Sequence, residues 1–202
     1  MSKFKAFLLV WVGQVVSLFG SSLSGFALGV WLYQETGSAS NFALVAMCGV
    51  LPQMVVSPFT GVLVDRYSRR RMMVFGDSGS ALCTLALAFL FMKGIIQPWH
   101  IFLGTALSSI FSALQAPAYA ALVAESVERI QLGRANGLIQ FGQGLAEVLA
   151  PATAGVLVAG IGVSGVLVVD LSTFIFAVIT LVIAYQPVRL IPHRENISMS
   201  DE

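Results

Sequence analysis

Gly61-Val62-Leu63-Val64-Asp65-Arg66-Tyr67-Ser68-Arg69-Arg70-Arg71 is a short, strongly charged interruption between two apolar runs, 42–64 and 72–92. Each run is long enough to cross the hydrocarbon core, which takes about 20 mostly apolar residues. Working outward, 7–33, 101–123, 138–161 and 163–185 meet the same criterion. Backbone groups in lipid need internal partners, so spans are helices or strands of a closed barrel. These runs are long and do not alternate in polarity, which selects helices. The expected fold is therefore an all-α integral membrane protein with six transmembrane helices over 1–187, followed by a polar segment, 188–202, that is either a cytoplasmic tail or the start of a linker. The boundary between the fifth and sixth spans is soft, resting on the glycines of 160–165.

Composition supports this. Apolar residues make up 57% of the chain and charged residues 10%, against roughly 25% charged in ordinary soluble domains. Lys3 and Lys5 precede the first run, but that run is too long for a signal-peptide core of about 7–15 residues. Cys48 and Cys83 lie inside apolar runs and form no disulfide or metal pattern.

The basic residues set the orientation. Lys3, Lys5, Arg66, Arg69, Arg70, Arg71, Arg129, Arg134, Arg189 and Arg194 fall in connectors of one side, and Lys93 falls on the other. Positively charged connectors stay in the cytoplasm, so both termini are expected there, in a bacterial inner (plasma) membrane. Trp31, Tyr33 and Trp99 then lie at the outer interface and Tyr185 at the inner one. Gly13, Ser17, Ser21, Gly25 and Gly29 recur at every fourth position, as do Gly76, Ser80, Thr84 and Ala88. Small residues at this spacing let helices approach closely, which predicts a compact bundle.

The charged loop is electrostatically odd. Asp65 sits at the negative end of one helix dipole and the arginines at the positive end of the next, each unfavourable by about 0.3–1 kcal/mol. A compensating charge network is expected, with Asp77 close enough along the third helix to join it. In the fifth span, Gln140, Gln143 and Glu147 follow helical spacing, and Pro151 removes the backbone partner of the Glu147 carbonyl. A polar face in mid-membrane is expected to point inward, and Glu147 is a candidate proton carrier; the alternative is a neutral, hydrogen-bonded packing residue. Gln14, Ser17, Ser21, Gln140 and Gln143 are candidate cavity residues and suggest an amphipathic compound. Asp170 lies in the outer part of the sixth span, with no role evident from its position.

The loop resembles the signature between helices two and three of the major facilitator superfamily, Gly-x-Leu-x-Asp-Arg-x-x-Arg-Arg/Lys, at Gly61, Leu63, Asp65, Arg66, Arg69 and Arg70, with Ser68 where glycine is usual. Gly137, Pro151 and Gly155 are similar to part of the fifth-helix motif of its antiporters, alanines replacing glycines at 146, 150 and 154. Gln115-Ala116-Pro117-Ala118-Tyr119 and Arg134-Ala135-Asn136-Gly137-Leu138 resemble its macrolide and siderophore exporters. The fourth span lacks the arginine that many drug/proton antiporters carry.

The resemblance implies a half-bundle of two inverted three-helix repeats, a gating latch at Asp65, a helix bend at Pro151 and Gly155, and proton-coupled export of a drug, macrolide or siderophore-like molecule. It covers half a transporter, so the implied partner is a C-terminal half or a second copy. The alternative is a truncated or split-gene fragment without activity alone. No enzyme, cofactor, metal site or nucleic-acid partner is expected. No histidine lies in mid-membrane for a protease site, and there is no phosphate-binding loop.

Overall fold

The computed structural model describes residues 3–184, apart from the side chains of Lys3, Val62 and Asp65. The expectations for Tyr185, Arg189, Arg194 and the 188–202 segment lie outside the described residues. Five long helices follow one another: α1 (Lys3–Thr36), α2 (Ala39–Arg66), α3 (Arg69–Met92), α4 (Pro98–Ser126) and, after a 3-10 turn at Arg129–Gln131, α5 (Leu132–Ala184). All five are long and apolar enough to cross a membrane.

Five continuous helices, rather than six, reflect how the last two expected spans are joined. A straight helix of 53 residues would measure roughly 80 Å, against about 30 Å of hydrocarbon. The backbone departs from helical geometry at Gly162, with φ 70° and ψ 172°, a region open essentially to glycine alone. The two arms then run oppositely along α1. Trp11 donates to the Leu138 carbonyl at 2.8 Å and Gly142 meets Val15, so residues 132–161 run parallel to α1. Gly13 faces Thr180 and Ala177 while Gly20 faces Thr173 and Asp170, so 163–184 run antiparallel to it. The helix continues through Pro151, and its backbone leaves helical geometry at Gly162.

The remaining connections are short. Gly37 and Gly94 supply left-handed residues after α1 and α3. Ser68 begins α3 in extended conformation, and the Tyr67 amide closes α2 on the Leu63 carbonyl. Gln97 and His100 cap the start of α4 reciprocally. α1 packs chiefly against α5, and α4 packs against α2 and α3.

The apolar residues gather at two levels. Leu23, Leu28, Leu32, Val45, Leu87, Ile101, Ala150, Ala154, Val166 and Leu167 close one end of the bundle. Val10, Val64, Met73, Ala118, Leu122 and Leu181, with Phe7, Val123, Val127 and Ala135, close the other. Arg69 pairs with Glu125 at this second end, tying the start of α3 to the end of α4. Arg134 lies over the Phe4 ring there, 5.4 Å from its centroid. Lys93 lies at the opposite end, over Phe89.

The small-residue stripe of α1 divides. Gly13 admits the second arm of α5 and Gly29 the ring of Phe42, but Ser17 and Ser21 face a cavity. On α3 the stripe does meet a helix: Gly76 lies against the backbone of Phe111, and Ser80 donates to the Ser108 carbonyl at 3.1 Å.

Candidate functional site

Between the two apolar levels lies a partly open cavity of about 290 Å³ whose wall carries many polar side chains. It is framed by all five helices: Gln14, Ser17 and Ser21 from α1, Gln53 from α2, Asp77, Ser80 and Thr84 from α3, Ser112, Gln115 and Tyr119 from α4, and Gln143 and Asp170 from α5. A helix presents residues three, four and seven apart on one face, so Asp77, Ser80 and Thr84 reach the same space from successive turns of α3.

Two carboxyl groups lie in the cavity wall, Asp77 and Asp170, each 5% exposed. Asp77 belongs to a chain of amides. The Gln115 Nε2 donates to Gln14 Oε1 at 2.5 Å, and Gln14 Nε2 donates to Asp77 Oδ2 at 3.5 Å. The second contact is at the outer limit of hydrogen-bond length, so the carboxyl is only loosely held. Asp170 accepts from Ser21 Oγ at 3.1 Å and Thr84 Oγ1 at 3.4 Å. Among the described residues, no lysine, arginine or histidine lines the cavity, so no fixed positive charge holds either acid ionised.

These placements revise several expectations. Asp77 does not join the arginine loop. It lies two helical turns, roughly 10 Å, beyond Arg70 and turns to Gln14. Arg69 instead finds Glu125, while Arg66 and Arg71 are exposed. Arg70 is half-buried, and Gly61 lies open at the end of α2. Asp65 occupies the last turn of α2, its side chain outside the described groups.

On α5 the expected polar face splits. Gln143 reaches the cavity, but Gln140 and Glu147 are exposed and do not line it. The reason is angular. Gly142, Ala146, Ala150 and Ala154 form the buried stripe. At about 100° per residue, Gln143 stands at its edge, while Gln140 and Glu147 lie roughly a further 50° round. Pro151 is half-buried and Gly155 exposed, with open space beside it. Gln14, Ser17 and Ser21 lie together on the cavity wall.

Gln53, Thr84, Ser112 and Asp170 were not expected in the cavity. The spacing of Asp77, Ser80 and Thr84, read as polarity rather than size, would have revealed the α3 wall. Gln53 follows Pro52 in an otherwise apolar run and carries no periodic signal.

Residues 10–201 match the sequence model of the Major Facilitator Superfamily. The chain is 29% identical over 181 residues to macrolide efflux protein A of Streptococcus pyogenes, covering 90% of this chain and 45% of that protein. It is 29% identical over 138 residues to the multidrug efflux pump Tap of Mycolicibacterium fortuitum, covering 65% of this chain and 34% of the pump. With the staphyloferrin A transporter of Staphylococcus aureus it shares 26% identity over 159 residues, 78% of this chain and 37% of that transporter. The chain thus spans less than half the length of these relatives.

Proposed function

The chain belongs to the Major Facilitator Superfamily, and on that premise we propose that it is one half of a proton-coupled exporter of amphipathic small molecules. The observation that carries this reading is the mid-bundle cavity, with its two buried acids, its amides and hydroxyls, and apolar closure at both ends. Polar and ionisable groups at such depth are expensive and mark substrate or proton pathways. The aromatic rings of Trp11, Tyr119 and Phe174 on the same wall suit a molecule with a large apolar body. Relatives named for macrolide efflux, multidrug efflux and siderophore transport support this substrate class.

In this proposal the chain crosses the membrane six times, α5 crossing twice about Gly162, in two inverted three-helix repeats. Both ends of the chain face the cytoplasm of a bacterial inner membrane, because Lys5, the 66–71 arginines, Arg129 and Arg134 sit together at one end of the bundle. A cysteine at Ser68, between α2 and α3, is expected to resist an impermeant maleimide added outside intact cells and to react in inverted vesicles. Ready labelling from outside overturns the orientation. The 61–71 segment is then a cytoplasmic gate, with Asp65 closing against a helix of the second half.

Export itself is tested in proteoliposomes holding the chain together with a second six-helix unit. A lipophilic fluorescent substrate moved down its gradient is expected to drive protons the opposite way, read by an enclosed pH dye. Substrate movement without any proton signal refutes proton coupling, and no substrate movement refutes export. A second reading, a chain that works only as a homodimer, draws on the exposed polar face of Gln140 and Glu147 on α5, which a second copy could cover.

A further inference from the structure

Given that the main cavity holds the exported molecule as proposed above, we propose that a second cavity beside it is a head-group subsite for a neutral, hydroxyl-bearing ring such as a glycosyl group. The second cavity measures about 180 Å³ and joins the first along Ser21, Gln53, Thr84, Ser112 and Asp170, which line both. Sites for whole drug-sized molecules run to about 300–1,000 Å³. This recess therefore has room for part of a molecule, with the rest in the main cavity.

The two spaces differ in chemistry along the bundle axis. Trp11 and Tyr119, on the main wall, pack on the apolar cluster around Phe7, toward the end that carries Arg69 and Glu125. The second cavity runs the other way, beneath Leu28, Leu87 and Leu167 of the opposite apolar level. Among the described residues, no aromatic side chain lines it, and no lysine, arginine or histidine does. Its polar wall is built mainly from serines and threonines of α1, α3 and α4. An aromatic surface on one side and a hydroxyl-lined recess on the other fit a molecule divided in the same way.

Some of these hydroxyls serve packing. Ser109 donates to the Cys48 and Ala106 carbonyls, and Ser112 lies against Ser80. Others have capacity left. The buried Thr105 Oγ1 has no hydrogen-bond partner, an exception among buried polar atoms. Gln53 brings an amide from α2, with two donors and an acceptor. Asp170, the one carboxylate on this wall, has roughly four lone-pair sites. Ser21, Thr84 and Ser24 take three of them, which leaves one for a hydroxyl of the bound molecule. A hydroxyl donates and accepts at once, so a polyhydroxyl ring answers Asp170, Thr105 and Gln53 alike. An ammonium head offers donors only and leaves the Gln53 N–H groups unanswered. A carboxylate or phosphate head is repelled by Asp170 with no basic group to offset it.

The test is equilibrium dialysis of the full chain in lipid nanodiscs, with empty nanodiscs subtracted. The probes share one naphthyl body: naphthyl glucoside, naphthyl methyl ether and naphthyl glucuronide. Saturable binding of the glucoside and the methyl ether is expected, the glucoside at least about tenfold tighter, the worth of one hydrogen bond, and the glucuronide weaker than the glucoside by a similar factor. Thr105→Val keeps the side-chain shape and is expected to weaken the glucoside about tenfold. Gly25 lines the second cavity, and a Cβ added there meets nothing within 4 Å, so Gly25→Leu fills the recess without disturbing the packing. That variant is expected to bind the glucoside no better than the methyl ether, with the methyl ether unchanged. Equal affinity for glucoside and methyl ether overturns the head-group site alone, as does glucuronide binding as tight as glucoside binding, or a glucoside preference that survives in Gly25→Leu. Saturable binding of none of the probes overturns it together with the reading of the main cavity.

Discussion

Replacing Asp77 by asparagine is expected to reduce substrate-driven proton movement to the level of protein-free vesicles while leaving the chain folded. The substitution keeps the volume of the side chain, and the new amide oxygen can still accept from Gln14 Nε2 as Asp77 Oδ2 does. What it loses is the ability to bind and release a proton on the wall of the cavity. The chain Gln115, Gln14, Asp77 crosses from α4 through α1 to α3, so a change of charge at Asp77 bears on contacts among three helices. Glu147→Gln serves as the comparison. Because Glu147 is exposed and lies off the cavity wall, that variant is expected to retain proton movement. Full coupling in Asp77→Asn would make Asp77 a packing residue, and loss of coupling in Glu147→Gln would return the proton to α5.

The second large effect concerns the chain alone. Reconstituted as a verified monomer, it is expected to transport nothing. The polar edge of α5 carrying Gln140 and Glu147 is uncovered, and each polar group facing lipid without a partner costs a few kcal/mol. α2 is similarly open, with Met54, Val55 and Phe59 each more than 60% exposed. Transporters of this family rock two six-helix halves about a midplane site, and in the function proposed above this chain provides one wall of that site. Activity that appears only after a second six-helix unit is added supports the proposal. Substrate uptake by the monomer refutes it, and uptake by a defined dimer favours two copies of this chain.

The long helices were legible because a bilayer imposes a length on each apolar run. The expected 42–64, 72–92 and 101–123 became Ala39–Arg66, Arg69–Met92 and Pro98–Ser126. Each helix runs a few residues past its apolar core, since interfacial residues such as Arg66 and Ser126 continue the backbone hydrogen bonding. The grouping of basic residues at one end was legible for the same reason. The cavity was less so. In a soluble protein a polar face points to water, but here lipid, protein and cavity share one apolar alphabet. A polar residue therefore announces that its surroundings are special without saying which neighbour makes them so. Glu147 and Asp77 drew notice for their charge, and only the packing of α1 against α5 and α4 separated them. Ser80 and Thr84 read as small residues for close packing. Ser80 serves that role, but Thr84 turns its hydroxyl to Asp170.

The reversal at Gly162 also bears on how the chain enters the membrane during synthesis. A single residue with left-handed backbone leaves no slack between the arms that meet there. On the proposed topology, in which α5 crosses twice, the two arms are expected to partition as one helical hairpin. This matters because the second arm carries Asp170, whose side chain alone opposes insertion at mid-membrane by about 2.5–3.5 kcal/mol. Delivered as a hairpin, the acid would meet α1, whose Ser21 hydroxyl lies within reach of its carboxyl in the folded chain.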